Sequence, residues 1–185
     1  MKKLLMINWA LLAVMVSFAS SGCGSKDGDD GMDPNDNNNS GYFVKAKVDG
    51  TQVEFKTENL LSGEISSSLP DIYDLALMGG RQVSGQSGLA ESITIVLRET
   101  APIAEKGYTG LVPFEFGLKG VLLGYAYDVE DIIFTTDVTN PTVNLEITEI
   151  RQTSIKGKFS GVVKDFLSGE TKTITEGEFF VPRRN

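Results

Sequence analysis

Apolar and polar residues alternate with a period of two along most of the chain after residue 42. This period is that of a β-strand with one face toward a core and the other toward water. The segments FVKAKV, VEF, SITIVLRE, TVNLEITEI and SIKGKFSGVVK show it most clearly. The residues that the alternation predicts to be buried are Val44, Ala46, Val48, Val53, Phe55, Ile93, Ile95, Leu97, Val143, Leu145, Ile147, Ile155, Phe159 and Val163.

Two short signals mark where these strands turn or change face. Asp49-Gly50 separates the first two segments and predicts a tight hairpin turn with positive φ angles. In the last segment, ETKTITEGEFFVP, the inward positions change parity between Ile174 and Phe179. One inserted residue flips the faces of a strand, so Gly177 between them predicts a β-bulge.

Four weaker segments, IYDLALMG, YTGLVPFEF, VLLGYAYD and DIIFTTD, complete the strand pattern. VLLGYAY is apolar on both faces, which suits a central strand covered on both sides. Residues 63–70 and 79–88 are predicted to be loops because they are rich in glycine and serine. We therefore predict an all-β fold, an antiparallel β-sandwich of about 8–10 strands. A closed or flattened β-barrel, lipocalin-like, is the alternative.

The chain begins with a pattern of its own, before the alternation starts. Lys2 and Lys3 precede an uncharged run, residues 4–19, and the small residues SSG follow it. A positive head, an apolar stretch and a small-residue exit are typical of a secretory signal, here residues 1–22. A transmembrane helix is the alternative, but it needs about 20 apolar residues, and this run is shorter and contains Asn8.

The chain has one cysteine, Cys23, directly after that segment. A single cysteine cannot form an internal disulfide, and no apolar residues flank it. Ser21, Gly22 and Cys23 resemble the lipobox of bacterial lipoproteins, although Ser20 replaces the usual leucine-like residue. The resemblance implies that cleavage precedes Cys23 and that its thiolate, a strong nucleophile, carries the lipid anchor.

The stretch after the cysteine is acidic and polar, with Met32 as its one apolar side chain up to residue 41. Such a composition predicts a disordered tether over residues 23–41, followed by a single all-β domain over residues 42–185. The start of the tether resembles the surface-export signal of lipoproteins in the Bacteroides-like phylum. The resemblance implies surface display, with the periplasmic face as the alternative, and its matching residues are Ser25, Lys26, Asp27, Asp29 and Asp30.

The same acidic residues follow part of a calcium-loop spacing. Asp27, Asp29, Gly31 and Asp33 approach the D-x-D-x-D-G pattern of an EF-hand. No glutamate closes the loop at its twelfth position, and no helical pattern flanks it. We therefore predict a solvated acidic tether and no metal site.

The two ends of the body carry a second resemblance. FVKAKVDG at its start, and SIKGKFSG and ITEGEFFV at its end, resemble small all-β lipoprotein domains of the same phylum. These motifs consist of turn glycines and core aromatic residues. The resemblance implies a fold and a location in the outer membrane, and it carries no active site.

Composition narrows the possible chemistry. The chain has no histidine, which removes the Ser–His–Asp triad and imidazole metal ligands. Its only cysteine is assigned to the lipid, and it has no phosphate-binding glycine motif, so no cofactor is predicted. The net charge of −8 and the lack of a basic stripe argue against a nucleic-acid partner.

One segment, YDVED, combines aromatic and acidic residues. In a strand, Tyr125 and Tyr127 share one face, and Asp128 and Glu130 share the other. This pattern suits a sugar-binding patch, in which the rings stack on a pyranose and the carboxylates accept hydroxyl hydrogen bonds. The alternative is that the tyrosines are core or rim residues, as is common in sandwiches.

Three functions remain open from the sequence. The first is a surface-exposed, lipid-anchored, non-catalytic binding or accessory module whose partner is a glycan or an envelope protein. The second is a structural component of the envelope that pairs through its strand edges. The third is a histidine-free glycoside hydrolase that uses paired carboxylates.

Overall fold

The computed structural model describes residues 41–56, 60–82, 89–115, 117–127 and 132–184, all within the unit Ser40–Asn185. This part of the chain is all-β and contains no α-helix, and so none that could span a membrane. Its twelve strands are β1 (Phe43–Val48), β2 (Thr51–Lys56), β3 (Leu60–Leu69), β4 (Ile72–Gln82), β5 (Leu89–Glu99), β6 (Gly107–Thr109), β7 (Leu111–Phe114), β8 (Gly117–Tyr127), β9 (Ile132–Thr136), β10 (Val143–Ile150), β11 (Ser154–Lys164) and β12 (Thr171–Arg184).

The twelve strands form one mixed sheet in the order β2-β1-β12-β3-β4-β5-β8-β9-β11-β10-β6, with β7 paired to β8. Because β11 also pairs with β12, the pairings return to β12 and form a ring. Two of its links are short: β12–β3 and β9–β11 each contain two residue pairs. This arrangement is consistent with a flattened barrel, or with a sandwich whose sheets join at their edges.

The alternating positions in the sequence are the positions that form the core. Every residue that the period of two assigns to the interior is at most 6% exposed. Most of these side chains belong to one apolar cluster that draws on strands from both ends of the chain. β8, which was predicted to be covered on both faces, has six consecutive buried residues, Gly120–Tyr125. The prediction of a central strand is confirmed, because β8 pairs with β5, β7 and β9.

Both predicted backbone signals are present. Asp49 and Gly50 have φ angles of 48° and 80°, as a hairpin turn between β1 and β2 requires. The bulge in β12 shifts its register against two of its neighbours, β1 and β11. Gly177 lies within it, and the positive φ belongs to the preceding residue, Glu176.

The prediction that residues 63–70 form a loop is wrong. They belong mostly to β3, which pairs with β4 from Leu60 to Leu69. The sequence of this strand does not alternate between apolar and polar residues, because most of its side chains are exposed and one of its buried positions is Gly63. A Cβ on Gly63 would lie 2.8 Å from Val181, so close packing of the strands requires glycine there. Residues 79–82 are likewise strand, the end of β4.

Two further differences separate the structure from the sequence prediction. There are twelve strands and not 8–10, partly because YTGLVPFEF contains two strands separated by Gly110, which has a φ of 73°. The pairing is not wholly antiparallel, since β3 and β12 run parallel. A short hairpin connection requires antiparallel pairing, but β3 and β12 are far apart in the sequence and can therefore pair in parallel.

Candidate ligand-binding groove

Tyr125 and Tyr127 lie on β8, as predicted, and their rings stack on the same face. The ring centroids are 5.7 Å apart, and the Tyr127 ring also stacks on Phe134, 6.0 Å away. Tyr125 is 7% exposed and belongs to the core, and Tyr127 packs against that core. Tyr125 therefore has no free ring face for a pyranose, and its position fits the alternative in which these tyrosines are core and rim residues.

The Tyr125 hydroxyl is held inside the protein. It donates a hydrogen bond of 2.9 Å to Oε1 of Glu91 on β5. Burial, together with this carboxylate, raises the pKa of the Tyr125 phenol well above its usual range. A neutral phenol that donates to a carboxylate is a structural contact between β5 and β8.

We expect Tyr125 to ionise only well above the usual pH of a tyrosine, and so to give a late phase in an alkaline titration. Because the unfolded chain loses this proton near pH 10 and the folded chain keeps it, the stabilisation is present below about pH 10 and is lost above it. In an alkaline titration followed by tyrosinate absorbance, Tyr125→Phe should lack the latest phase, and Tyr73→Phe should keep it. A late phase that persists in Tyr125→Phe would show that another tyrosine carries it.

The remaining predicted site residues lie outside the described part of the chain. The lipid anchor, the export signal and the acidic half of the YDVED patch therefore stay predictions from the sequence. These residues are Cys23, Ser25, Lys26, Asp27, Asp29, Asp30, Asp128 and Glu130.

The structure shows a concave site elsewhere, on the outer face of β6, β10, β11 and β12. It is an open groove with a volume of about 590 Å³, and we call it the polar groove. The groove lies on the side of these strands opposite the buried Leu145 and Phe159 side chains. Its polar side chains are those of Thr109, Asn144, Glu146, Lys158, Ser160, Glu176 and Glu178.

Strand register builds one row of uncharged groups across the groove. Asn144 on β10 lies opposite Thr109 on β6 and opposite Ser160 on β11. Side chains directly opposite each other in antiparallel strands are about 5 Å apart. The row therefore places two hydroxyls and a carboxamide, all able to donate and accept hydrogen bonds, in one line.

The next row is charged and alternates in sign. Glu146 lies opposite Lys158, Lys158 opposite Glu178, Glu178 opposite Lys45, and Lys45 opposite Glu54. Opposite charges in directly facing positions favour this register over a shifted one. The alternation keeps the net charge of the face close to zero.

The groove side chains fall into two groups. Glu178 forms an ion pair with Lys45 at 2.9 Å, and Glu176 forms one with Lys47 at 2.8 Å. Within the described residues, the side chains of Asn144, Glu146, Lys158 and Ser160 have no hydrogen bond or ion pair to the protein. These four groups are held in place by strand backbone, and their hydrogen-bonding capacity is available to a ligand.

The groove has none of the features of a metal centre. No group of three or more histidine, cysteine, aspartate or glutamate residues in the described ranges is arranged to hold a metal ion. Its carboxylates are separated by the lysines of the charged row, and Glu146 and Glu178 stand on opposite sides of Lys158. Two strand spacings put their Cα atoms about 10 Å apart.

Sequence reasoning missed the polar groove because its residues look like ordinary outward positions. Thr109, Asn144, Ser160 and Glu176 lie in four different strands, and only the register brings them together. The one local signal was Gly177, which marked the bulge beside Glu176.

No family model, no curated protein and no solved structure matches the chain. The functional argument therefore rests on the groove and on the sequence.

Proposed function

We propose that this chain is a surface-exposed, lipid-anchored lipoprotein whose β-domain is a non-catalytic module that binds a neutral glycan. One observation carries the ligand class: the polar groove presents an amide, a hydroxyl, a carboxylate and an ammonium group, none of which has a partner in the described protein. Sugar hydroxyls both donate and accept hydrogen bonds, so they can satisfy all four groups at once.

Charge supports a neutral ligand. Glu176 and Glu178 are already balanced by Lys47 and Lys45, and the remaining Glu146 faces Lys158. An anionic polymer would gain little attraction there, because each of these lysines already pairs with or faces a carboxylate. A polyhydroxylated ligand with no net charge meets no such penalty.

Hydrogen bonding, more than ring stacking, would carry recognition at this site. Phe180 lies two residues beyond Glu178 and its ring is on the same sheet face, but Nζ of Lys156 sits 4.4 Å from the ring centroid. The ring also packs against Tyr42, at 4.8 Å between centroids. With both neighbours in place, Phe180 is better suited to support the sheet than to act as a sugar platform.

The arrangement of the carboxylates supports binding over hydrolysis. A glycoside hydrolase needs two carboxyl groups about 5–10 Å apart across the scissile bond, one of which donates a proton. Glu176 and Glu178 are each engaged by a lysine, and Glu146 stands across β11 from Glu178 on an open surface. The hydrolase alternative therefore has less support than the binding module.

The anchor and the location rest on the sequence. Residues 1–22 have the pattern of a secretory signal, Cys23 occupies the lipobox position, and residues 25–30 resemble a surface-export signal. A lipid on Cys23 would hold the β-domain at the outer membrane, through the tether that ends just before β1. An envelope surface is also where a glycan-binding module meets its ligands.

The test is glycan binding by the full chain, purified in detergent, on an array of neutral and acidic oligosaccharides. We expect a neutral oligosaccharide to bind. The double variant Asn144→Ala, Lys158→Ala should bind it at least tenfold more weakly, which corresponds to about 1.4 kcal/mol. Thr148→Ala is the matched control, because Thr148 is exposed on β10 but does not line the groove.

Three results would contradict this proposal. If the wild-type chain bound nothing on the array, a glycan ligand would be ruled out and assembly through strand edges would be the stronger candidate. The edges in question are β2 and β6, at which the sheet order ends. Equal loss of binding in Thr148→Ala would mean that the effect is not specific to the groove. Release of reducing sugar from a bound oligosaccharide would show that the module is catalytic.

A further inference from the structure

Glu176 has a backbone conformation that glutamate rarely adopts. Its φ angle is +51°, in the left-handed region. In this region the Cβ of an L-residue crowds the backbone, and glycine, asparagine and aspartate account for most exceptions. The other described non-glycine residues with positive φ, Asp49 and Asp71, are both aspartates. Of these three residues, Glu176 is therefore the least suited to its backbone conformation.

The bulge explains what this conformation achieves. Ile174 points inward, and in a regular strand Glu176, two residues later, would point inward as well. The extra residue shifts the alternation, so that Gly177 and Phe179 are buried and Glu176 is exposed. The bulge thus turns the Glu176 carboxylate out of the core and into the polar groove.

Gly177, in the same bulge, allows β12 to lie close to β11. A Cβ at this position would lie 2.4 Å from the carbonyl oxygen of Phe159 on β11. The close approach of the two strands therefore requires glycine at residue 177. At residue 176, the positive φ angle would also favour glycine, but the residue there is glutamate. Packing does not account for that glutamate, because its side chain is 67% exposed.

Lys47 fixes the direction of the displaced carboxylate. Its Nζ donates a hydrogen bond of 2.8 Å to Glu176 Oε1. No second protein donor to this carboxylate appears within the described residues. Oε2 can therefore accept from a ligand, and an ionised acceptor forms stronger hydrogen bonds than a neutral one.

We propose that Glu176 is the specificity-determining residue of the polar groove, where its carboxylate accepts hydrogen bonds from adjacent free hydroxyls of the bound glycan. The inference rests on the proposed function and adds the ligand class: sugars with a free vicinal diol at the bulge, not sugars methylated there. The chain keeps a strained glutamate at this position because a relaxed glycine would leave the bulge side of the groove without an oriented anion.

The experiment compares Glu176→Gly and Glu176→Gln in the full chain. The glutamine variant loses the charge and keeps the strained backbone position, whereas the glycine variant relieves the strain. We expect the glycine variant to melt about 1–4 °C above the glutamine variant. Both should bind the neutral oligosaccharide found on the array at least tenfold more weakly than wild type does. The wild-type chain should prefer this probe to its permethylated form by a similar factor.

Asp71→Gly is the matched control, because Asp71 also has a positive φ, 61°, and lies in the β3–β4 turn away from the groove. It should leave binding unchanged. Unchanged binding by both Glu176 variants, with loss in the Asn144, Lys158 double variant, would overturn this inference and leave the proposed function intact. A glycine variant that melts no higher than the glutamine variant would overturn the strain argument whether or not any glycan binds. Failure of the wild-type chain to bind any sugar would overturn both.

Discussion

Gly157→Ala is expected to destabilise the domain by about 3 kcal/mol or more. A Cβ at this position would lie 2.2 Å from the carbonyl oxygen of Glu146 and 2.4 Å from Cζ of Phe179. One contact is with the backbone of a paired strand and the other with a buried ring, so neither can move away without separating β11 from its neighbours. The midpoint of urea unfolding, followed by circular dichroism, measures the loss.

Gly107→Ala is the control for this substitution. Gly107 is also a strand glycine, in β6 at the end of the sheet, and a Cβ there would meet nothing within 4 Å. Its unfolding midpoint should stay close to that of wild type, within the range of ordinary surface substitutions, about 0.5 kcal/mol. Equal stability of the two variants would mean that β10 and β11 lie further apart than the structure shows.

Phe134→Ala should have an effect of similar size, a loss of about 3–5 kcal/mol. The Phe134 ring is fully buried, and the rings of Tyr125 and Tyr127 pack on it. Nζ of Lys172, on β12, lies 5.6 Å from the centroid of the Phe134 ring. Removal of the ring leaves a cavity near the short junction between β9 and β11 and takes a packing partner from both tyrosines. We therefore expect lower stability together with weaker near-ultraviolet circular dichroism.

Phe166→Ala serves as the matched phenylalanine control. Phe166 lies in the turn between β11 and β12 and is 41% exposed, so its loss should change stability by less than about 0.5 kcal/mol. A Phe134→Ala variant that keeps wild-type stability and an unchanged tyrosine spectrum would contradict the packing around β9.

The sequence predicted those parts of the fold that depend on residues close together in the chain. Val44, Ala46 and Val48 are buried because a strand alternates faces, and Asp49-Gly50 turns because both residues tolerate positive φ. For residues 63–70 the sequence predicts a loop, wrongly, because the segment is rich in serine and glycine. These residues form a strand because they pair with β4, and the sequence of β3 alone does not show this pairing.

The candidate site depended on information that alternation does not contain. The pattern placed Tyr125 and Tyr127 on one face correctly, but which face of a strand meets the core is decided by the other strands. The polar groove needs the register of β10 against β6, β11 and β12. In the sequence, Asn144 and Ser160 look like ordinary outward-facing residues, and only the strand register shows that they lie side by side.

The place of β12 in the sheet has a consequence for how the chain is made. This last strand pairs with β1, the first, and also with β3 and β11. A ribosome releases residues 171–184 after β1–β11, and an exported chain emerges in the same order. Until then the first hairpin has no partner across the sheet, and the edges of β1 and β11 remain open. Completion of the sheet must therefore await β12, and a chain cut short before Thr171 exposes these edges to other molecules.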